Sequence, residues 1–337
     1  MKKTIATVLT LLAASALNWA PALAYAASDA ARPSTSPSTG NTSGGSSGSA
    51  SGQSSGTSSK TALPSAAPVS KYPQPSGNAL HDGLGANLPA GLDADTLVGL
   101  VMPMGDPAMV SLVGAKPWPR RENSFAVIVC TRGEGVERPR TSECVQGMTP
   151  GTTGVRRDVT AYVGVVEKVS DGTLRLVAAS GPVGVKTDWS ETGMPSPIIA
   201  EEGDTQGHLL PERWSNFDMA SYRIRNDDYA FGLRAGWSES YAGGGADFEA
   251  LYLFSIEGDQ LKVVLAEPMF AFRDVAGEWN PDGTREHEIE EETNILVMTN
   301  RLTNGHYDVR IKTKGKDNSY ARTLKWSVRD SAYVEAK

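Results

Sequence analysis

The nine residues Glu278-Trp279-Asn280-Pro281-Asp282-Gly283-Thr284-Arg285-Glu286 carry oxygen-bearing side chains at every second position. Glu278, Asn280, Asp282, Thr284 and Glu286 thus offer hard donors around a glycine bend, the pattern a calcium ion needs. The twelfth position is Ile289 rather than a bidentate acid, which excludes an EF-hand. Asn-Pro-Asp-Gly is equally an ordinary turn that needs no metal. Calcium is the one cofactor this stretch offers, and the plain turn is its alternative.

Other chemistries find less support. His287-Glu288 lacks the second histidine that an HExxH zinc site requires. Tyr241-Ala242-Gly243-Gly244-Gly245-Ala246 leads into a strand pattern, whereas a phosphate-cradling glycine loop feeds a helix. A wide hairpin loop is expected there. Gly236-Trp237-Ser238-Glu239-Ser240 misses the nucleophile elbow at its last position. Glu239, Asp247, Asp282 and Glu286 are carboxylates from which a hydrolytic pair could be drawn, but only their separation would give such a pair meaning.

Aromatic side chains are the other candidates for contact. Trp237 and Trp326 alternate with polar neighbours and are expected in the core. Trp189, Trp214 and Trp279 lie in loop-like surroundings, where an exposed indole can hold a protein or glycan partner. Packing beneath the loops is the competing expectation for these three.

The elements that must position these residues read as strands. Tyr229, Phe231, Leu233, Ala235 and Trp237 fall on one face, with Ala230, Gly232, Arg234 and Ser238 opposite. Phe248 to Ile256 is apolar on both faces, so it is expected to be central and covered twice. Leu261 to Ala266 follows a turn at Glu257-Gly258-Asp259-Gln260, and 275–292 reads as a polar loop. Further strands are expected at Ser124–Cys130, Val159–Val169, Thr173–Ala179, Phe217–Ile224 and Arg322–Val328. Asn304-Gly305 marks a hairpin between Asn294–Thr299 and His306–Thr313. Asp93–Leu100 fits one helical turn or a short strand, and 181–214 reads mostly as loop.

Lys2 and Lys3 precede an apolar run, Thr4–Leu17, and a small-x-small pattern near Ala26, the outline of a cleaved export signal over 1–26. The apolar run is shorter than the ~20 residues a spanning helix needs, so no transmembrane segment is expected after cleavage. Residues 27–71 are mainly Ser, Gly, Thr, Ala and Pro, with almost nothing to bury, and read as a disordered linker. Loss of Lys2 and Lys3 takes the formal charge from -7 to -9 (-7 minus 2). An acidic chain without a basic cluster is a poor partner for nucleic acid. The two cysteines, Cys130 and Cys144, are expected to form a disulfide in an oxidising compartment.

From Phe217 onward the pattern FDMASYRI…AFGLR…SYAGGGA…LYLF…GDQLKVVL…WNPDGTREHE resembles a domain of uncharacterised exported bacterial proteins. The loop around Asn280 resembles the calcium loops of integrin-type FG-GAP propeller repeats, although its first and ninth positions are Glu rather than Asp. The first resemblance implies a β-rich exported module and no particular activity.

The sequence therefore predicts an all-β domain of antiparallel meanders over 72–337, propeller-like or alternatively a β-sandwich, with a sub-domain break admissible near 181–214. The functional expectation is a non-catalytic binding protein of the bacterial periplasm or extracellular space. A structural component of the cell envelope is the alternative, and a carboxylate-dependent hydrolase stands third.

Overall fold

The protein is described by a computed structural model over residues 82–137, 141–145, 159–190, 192–197, 208–317 and 321–336. The expected signal (1–26) and linker (27–71) lie outside the described residues. In chain order the elements are a helix α1 (Ala94–Val101), a 3-10 turn (Pro107–Met109), and strands β1 (Val110–Pro117), β2 (Ser124–Thr131), β3 (Cys144–Val145), β4 (Thr160–Lys168) and β5 (Leu174–Pro182). There follow β6 (Thr187–Asp188), β7 (His208–Leu209), β8 (Arg213–Arg225), β9 (Asp228–Tyr241) and β10 (Gly244–Glu257). The last are β11 (Gln260–Trp279), β12 (Arg285–Thr303), β13 (His306–Thr313), β14 (Arg322–Ser327) and β15 (Ala332–Glu335).

Two antiparallel meanders make the main sheet. β1-β2-β4-β5 is joined to β11-β10-β9-β8 through one parallel bridge, Gln260 to Ala179. The result is a nearly closed barrel, which corrects the propeller and sandwich expectations. Short alternating strands are common to all three architectures. Closure is decided by which distant edges meet, and local pattern does not encode that.

The free edges of β1 and β8 are bridged by the segment Asp82–Asn87. Phe217 of β8 donates its N–H to the Gly83 carbonyl, and Ala115 of β1 donates to Gly85, each at 3.0 Å. Asp82 holds the segment in place by accepting from the Ala86 and Asn87 amides at 2.6 and 2.8 Å. A Cβ at Gly83 would stand 2.2 Å from Ser215 O, so only glycine permits this approach.

Inside the barrel, alternate residues of each strand meet in one core: Ile128, Val163, Phe231, Phe248, Tyr252 and Phe254 are all buried. Eight strands leave an interior about wide enough for side chains to fill, and here aromatic rings fill it. The same core draws on residues before and after 181–214, such as Val163 and Phe231. Cys130 and Cys144 form the expected disulfide, Cα to Cα 5.8 Å. Cys144 is paired with Trp214 of β8, so the bond ties that side of the barrel to β2.

Both outer faces of the barrel wall are also covered. The helix has Asp93 as its N-cap, accepting from Thr96 N at 2.9 Å. It packs Leu97, Val98 and Val101 on Val113, Val127 and Val129. On the far side, β12–β15 form a second layer whose Val309, Ile311, Leu324 and Trp326 cover Ile224, Leu251, Leu253 and Leu265. This is why β10 is apolar on both faces, as its sequence predicts. Each of its faces meets a different core.

Candidate functional site

β11 and β12 outrun the barrel. β10 accompanies β11 only as far as the pair Gly245–Asp274, while β11 and β12 stay paired out to Trp279–Arg285. What the sequence presents as a polar loop over 275–292 is thus a two-stranded ribbon. Both of its faces meet water, so it lacks the apolar-polar alternation that reveals a half-buried strand. An extra residue in β11 between Ala276 and Trp279 makes a bulge opposite Glu286.

The tip is a tight turn. Asn280 N donates to Thr284 O at 2.8 Å, and Gly283 N to Asn280 O at 3.0 Å. Gly283 has φ +85°, a conformation side chains disfavour. Asn280 Nδ2 donates to Thr284 Oγ1 at 3.0 Å, and Asp282 Oδ1 accepts from Thr284 N at 2.9 Å and Thr284 Oγ1 at 2.7 Å. The two Thr284 bonds hold the Asp282 carboxyl below the usual range. Of the five expected calcium ligands, Asn280, Asp282 and Thr284 are therefore brought together, but on one another. Among the described residues no group of three or more His, Cys, Asp or Glu side chains is gathered as a metal site. The residues make a hairpin turn.

The ribbon is braced at its root. β9 and β10 are joined by the two-residue turn Ala242-Gly243 rather than by the wide loop expected. A Cβ at Gly243 would stand 2.7 Å from Arg285 Nη1, and one at Gly244 would stand 2.0 Å from Asp274 O. The glycines serve close approach to the chain's own ribbon. His287 Nδ1 lies 2.7 Å from Asp274 Oδ1 across the strands. Arg285 donates Nε to Gly277 O at 2.9 Å and places its guanidinium 5.4 Å from the Trp279 ring centroid. Trp279 is thereby held in place while 68% exposed, with Ile289 nearby in the ribbon at 62%.

Strand alternation sorts β12 into two rows. Arg285, His287, Ile289 and Glu291 point one way, and Glu286, Glu288, Glu290 and Glu292 the other. β13 joins only from Asn294–Thr313, with Lys314 N reaching Thr293 O at 2.8 Å. Among the described residues, no strand pairs with the outer edge of 285–292. A bare strand edge offers unpaired N–H and C=O groups, and acidic side chains are one way to restrict what pairs with it.

The other sequence candidates fall elsewhere. Trp189 and Trp214 are buried, which takes them out of reach of a partner. Trp189 meets Trp237 and Phe248 edge to face at 5.4 and 5.7 Å, and Trp214 meets Tyr252 at 4.8 Å. The polar residues around Trp189 hid this, because they belong to a segment that lays β6 beside β11. Its Thr187 hydroxyl donates to Tyr252 Oη at 2.8 Å. Trp237 and Trp326 are buried as expected. Glu239 pairs with Ala246 on the inner face of the barrel, whereas Asp247 pairs with Ser238 on the outer face and bonds Arg213 at 3.3 Å. These two carboxylates cannot flank one substrate. Asp282 and Glu286 sit at the ribbon tip.

One set of residues was not singled out in the sequence. The register Val297–Arg310–Thr323 and Ile295–Lys312 gathers Arg310 and Lys312 on the outward face of the second layer, where Lys325 and Val334 join them. Charges at every second position of His306–Thr313 were the available signal. Comparison with known families, with curated proteins and with solved structures finds no match.

Proposed function

We propose that this chain is an exported, non-catalytic binding protein whose contact element is the β11–β12 ribbon and whose partner is a protein. The observation that carries this reading is Trp279, exposed yet fixed by Arg285 on a braced ribbon. A large aromatic held in position before binding loses little freedom when a partner closes over it, and such anchors dominate interface energetics. The bare edge of 285–292 favours a protein over a glycan, because only a polypeptide matches its ladder of backbone groups. Export is supported by the leader-like residues from Lys2 to Ala26 and is consistent with the disulfide.

The test is site-specific photocrosslinking in the native cell envelope. A photoreactive residue in place of Ile289 is expected to give a discrete protein adduct that Trp279→Ala reduces at least tenfold, the effect of losing an anchor worth about 1.4 kcal/mol or more. The melting temperature should not change. An equal adduct from position 328, where Val328 is 69% exposed in a turn of the second layer, would overturn the ribbon as the contact element.

The alternative, a structural component of the envelope, draws support from a different observation: two charged surfaces of opposite sign with no compensation within the described residues.

A further inference from the structure

We infer that the ribbon's partner is a second copy of this chain, with the glutamate row Glu286, Glu288 and Glu290 of one copy laid on Arg310, Lys312 and Lys325 of the next. This rests on the ribbon being the contact element and names what covers its glutamate face, the one turned away from Trp279 and Ile289.

The two surfaces are complementary in charge and in spacing. On the ribbon, the three glutamates recur every second residue along β12, and Val275 stands opposite Glu288 in the same row, 39% exposed. On the second layer, Arg310 and Lys312 recur every second residue along β13, with Lys325 on the neighbouring strand. Extended strands advance about 6.7 Å per two residues, so the two rows share one period. Apolar contacts flank the bases: Ile295, Val297 and Val334 are 47%, 37% and 40% exposed on that same face. The opposite face of this layer carries Val309, Ile311 and Leu324 and is buried against the barrel, so the basic face is the outward one.

Among the described residues, neither row is neutralised. Several other surface acids and bases are paired, as in Arg234 with Asp218 and Glu249, Arg213 with Asp247, Lys262 with Glu257 and Lys316 with Glu292. Among the described residues, Glu286, Glu288 and Glu290 make no ion pair, and neither do Arg310, Lys312 and Lys325. They cannot satisfy one another in one copy. Glu290 and Ile295 lie on one continuous strand, and five residues of extended chain separate them by about 17 Å.

Contact between two different patches is heterologous, so each copy still presents one free ribbon and one free face. Head-to-tail growth into a ring or filament follows, and such an assembly fits the envelope reading. The opposed charges also supply negative selection, since ribbon on ribbon and face on face both repel.

The experiment is sedimentation velocity of the exported protein over a range of concentrations at ~50 mM and ~500 mM salt, where screening separates charge-driven association from the rest. Association at low salt that weakens at least tenfold at high salt is expected. Glu288→Lys/Glu290→Lys and Arg310→Glu/Lys312→Glu should each abolish it, and the protein carrying all four substitutions should associate again. That restoration also shows that the single-row variants were folded. Association indifferent to both reversals would overturn the proposal, as would a protein that stays monomeric throughout. A monomer whose crosslink from position 275, in the glutamate row, reaches a different envelope protein would refute the second copy and leave the ribbon reading standing. No adduct from position 275 or from position 289 would refute the ribbon reading itself.

Discussion

A methyl group added at Gly114 would lie 2.3 Å from the Leu84 carbonyl oxygen, and one at Gly85 would lie 2.1 Å from the Ala115 carbonyl. These contacts press the Asp82–Asn87 segment into the seam of the barrel, where the obstacle is backbone and cannot swing aside. Gly114→Ala is expected to destabilise the protein by about 1–3 kcal/mol, the usual cost of forcing extra atoms into a packed site. Urea denaturation would read this as a lower midpoint with an unchanged slope. Nothing in the stretch DGLGAN announces such a role. Its glycines are adapted to atoms more than 25 residues away, whereas the φ > 0 role of Asn304-Gly305 is legible because that turn is local.

Among the elements, the second layer is fixed to the barrel by one ion pair as well as by its apolar face. Arg322 of β14 bonds Glu267 of β11 at 2.7 Å, both largely buried, and lies 3.4 Å from Glu335. Burial pushes the Glu267 carboxyl above its ordinary range, against the pull of Arg322. Removing one partner of a buried pair leaves the other charge uncompensated. Arg322→Met should therefore cost about 3 kcal/mol near neutral pH, and Glu267→Met in the same protein should recover most of it. The pH dependence has a definite sign. The folded state keeps the Glu267 proton to higher pH than the unfolded chain, so this contribution is complete at low pH and is lost as pH rises through the elevated value. Glu267→Gln removes that loss, and its stability relative to the native protein should climb as pH is raised past the carboxylate range. Equilibrium unfolding of both proteins over a pH series would show it. The strands that carry these residues differ in legibility. β9 and β10 show their periodicity because their faces meet different surroundings in a regular order. The outer halves of β11 and β12 are polar on both faces and read as loop.

At the scale of the whole molecule, the disulfide spans the barrel's seam. Cys130 lies near the end of β2, next to the edge strand β1 of one meander, and Cys144 is hydrogen-bonded through β3 to the edge of the other. Replacing both cysteines with serine should destabilise the fold by about 3 kcal/mol, the chain-entropy value for a loop of about 15 residues. Chemical denaturation of the two proteins under oxidising conditions provides the measurement. Equal midpoints would mean that the seam is held by Asp82–Asn87 alone.

By itself the sequence determined the all-β character, the position of most strands, the burial of Trp237 and Trp326, and the cysteine pairing. Each of these follows from residues close in the chain, or from there being two cysteines to join. Tertiary structure alone decided that the meanders close into a barrel, because one bridge from β5 to β11 and a glycine seam from β8 to β1 settle it. It also decided the fate of the candidate residues. Trp189 and Trp214 are carried inside by long-range packing, while Asn280, Asp282 and Thr284 are hydrogen-bonded to one another in a turn. The charged rows of β12 and β13 become surfaces only once register sets them side by side. Periodicity reveals which residues share a face, but the surroundings of that face are assembled from distant segments, and those surroundings determine what the face can do.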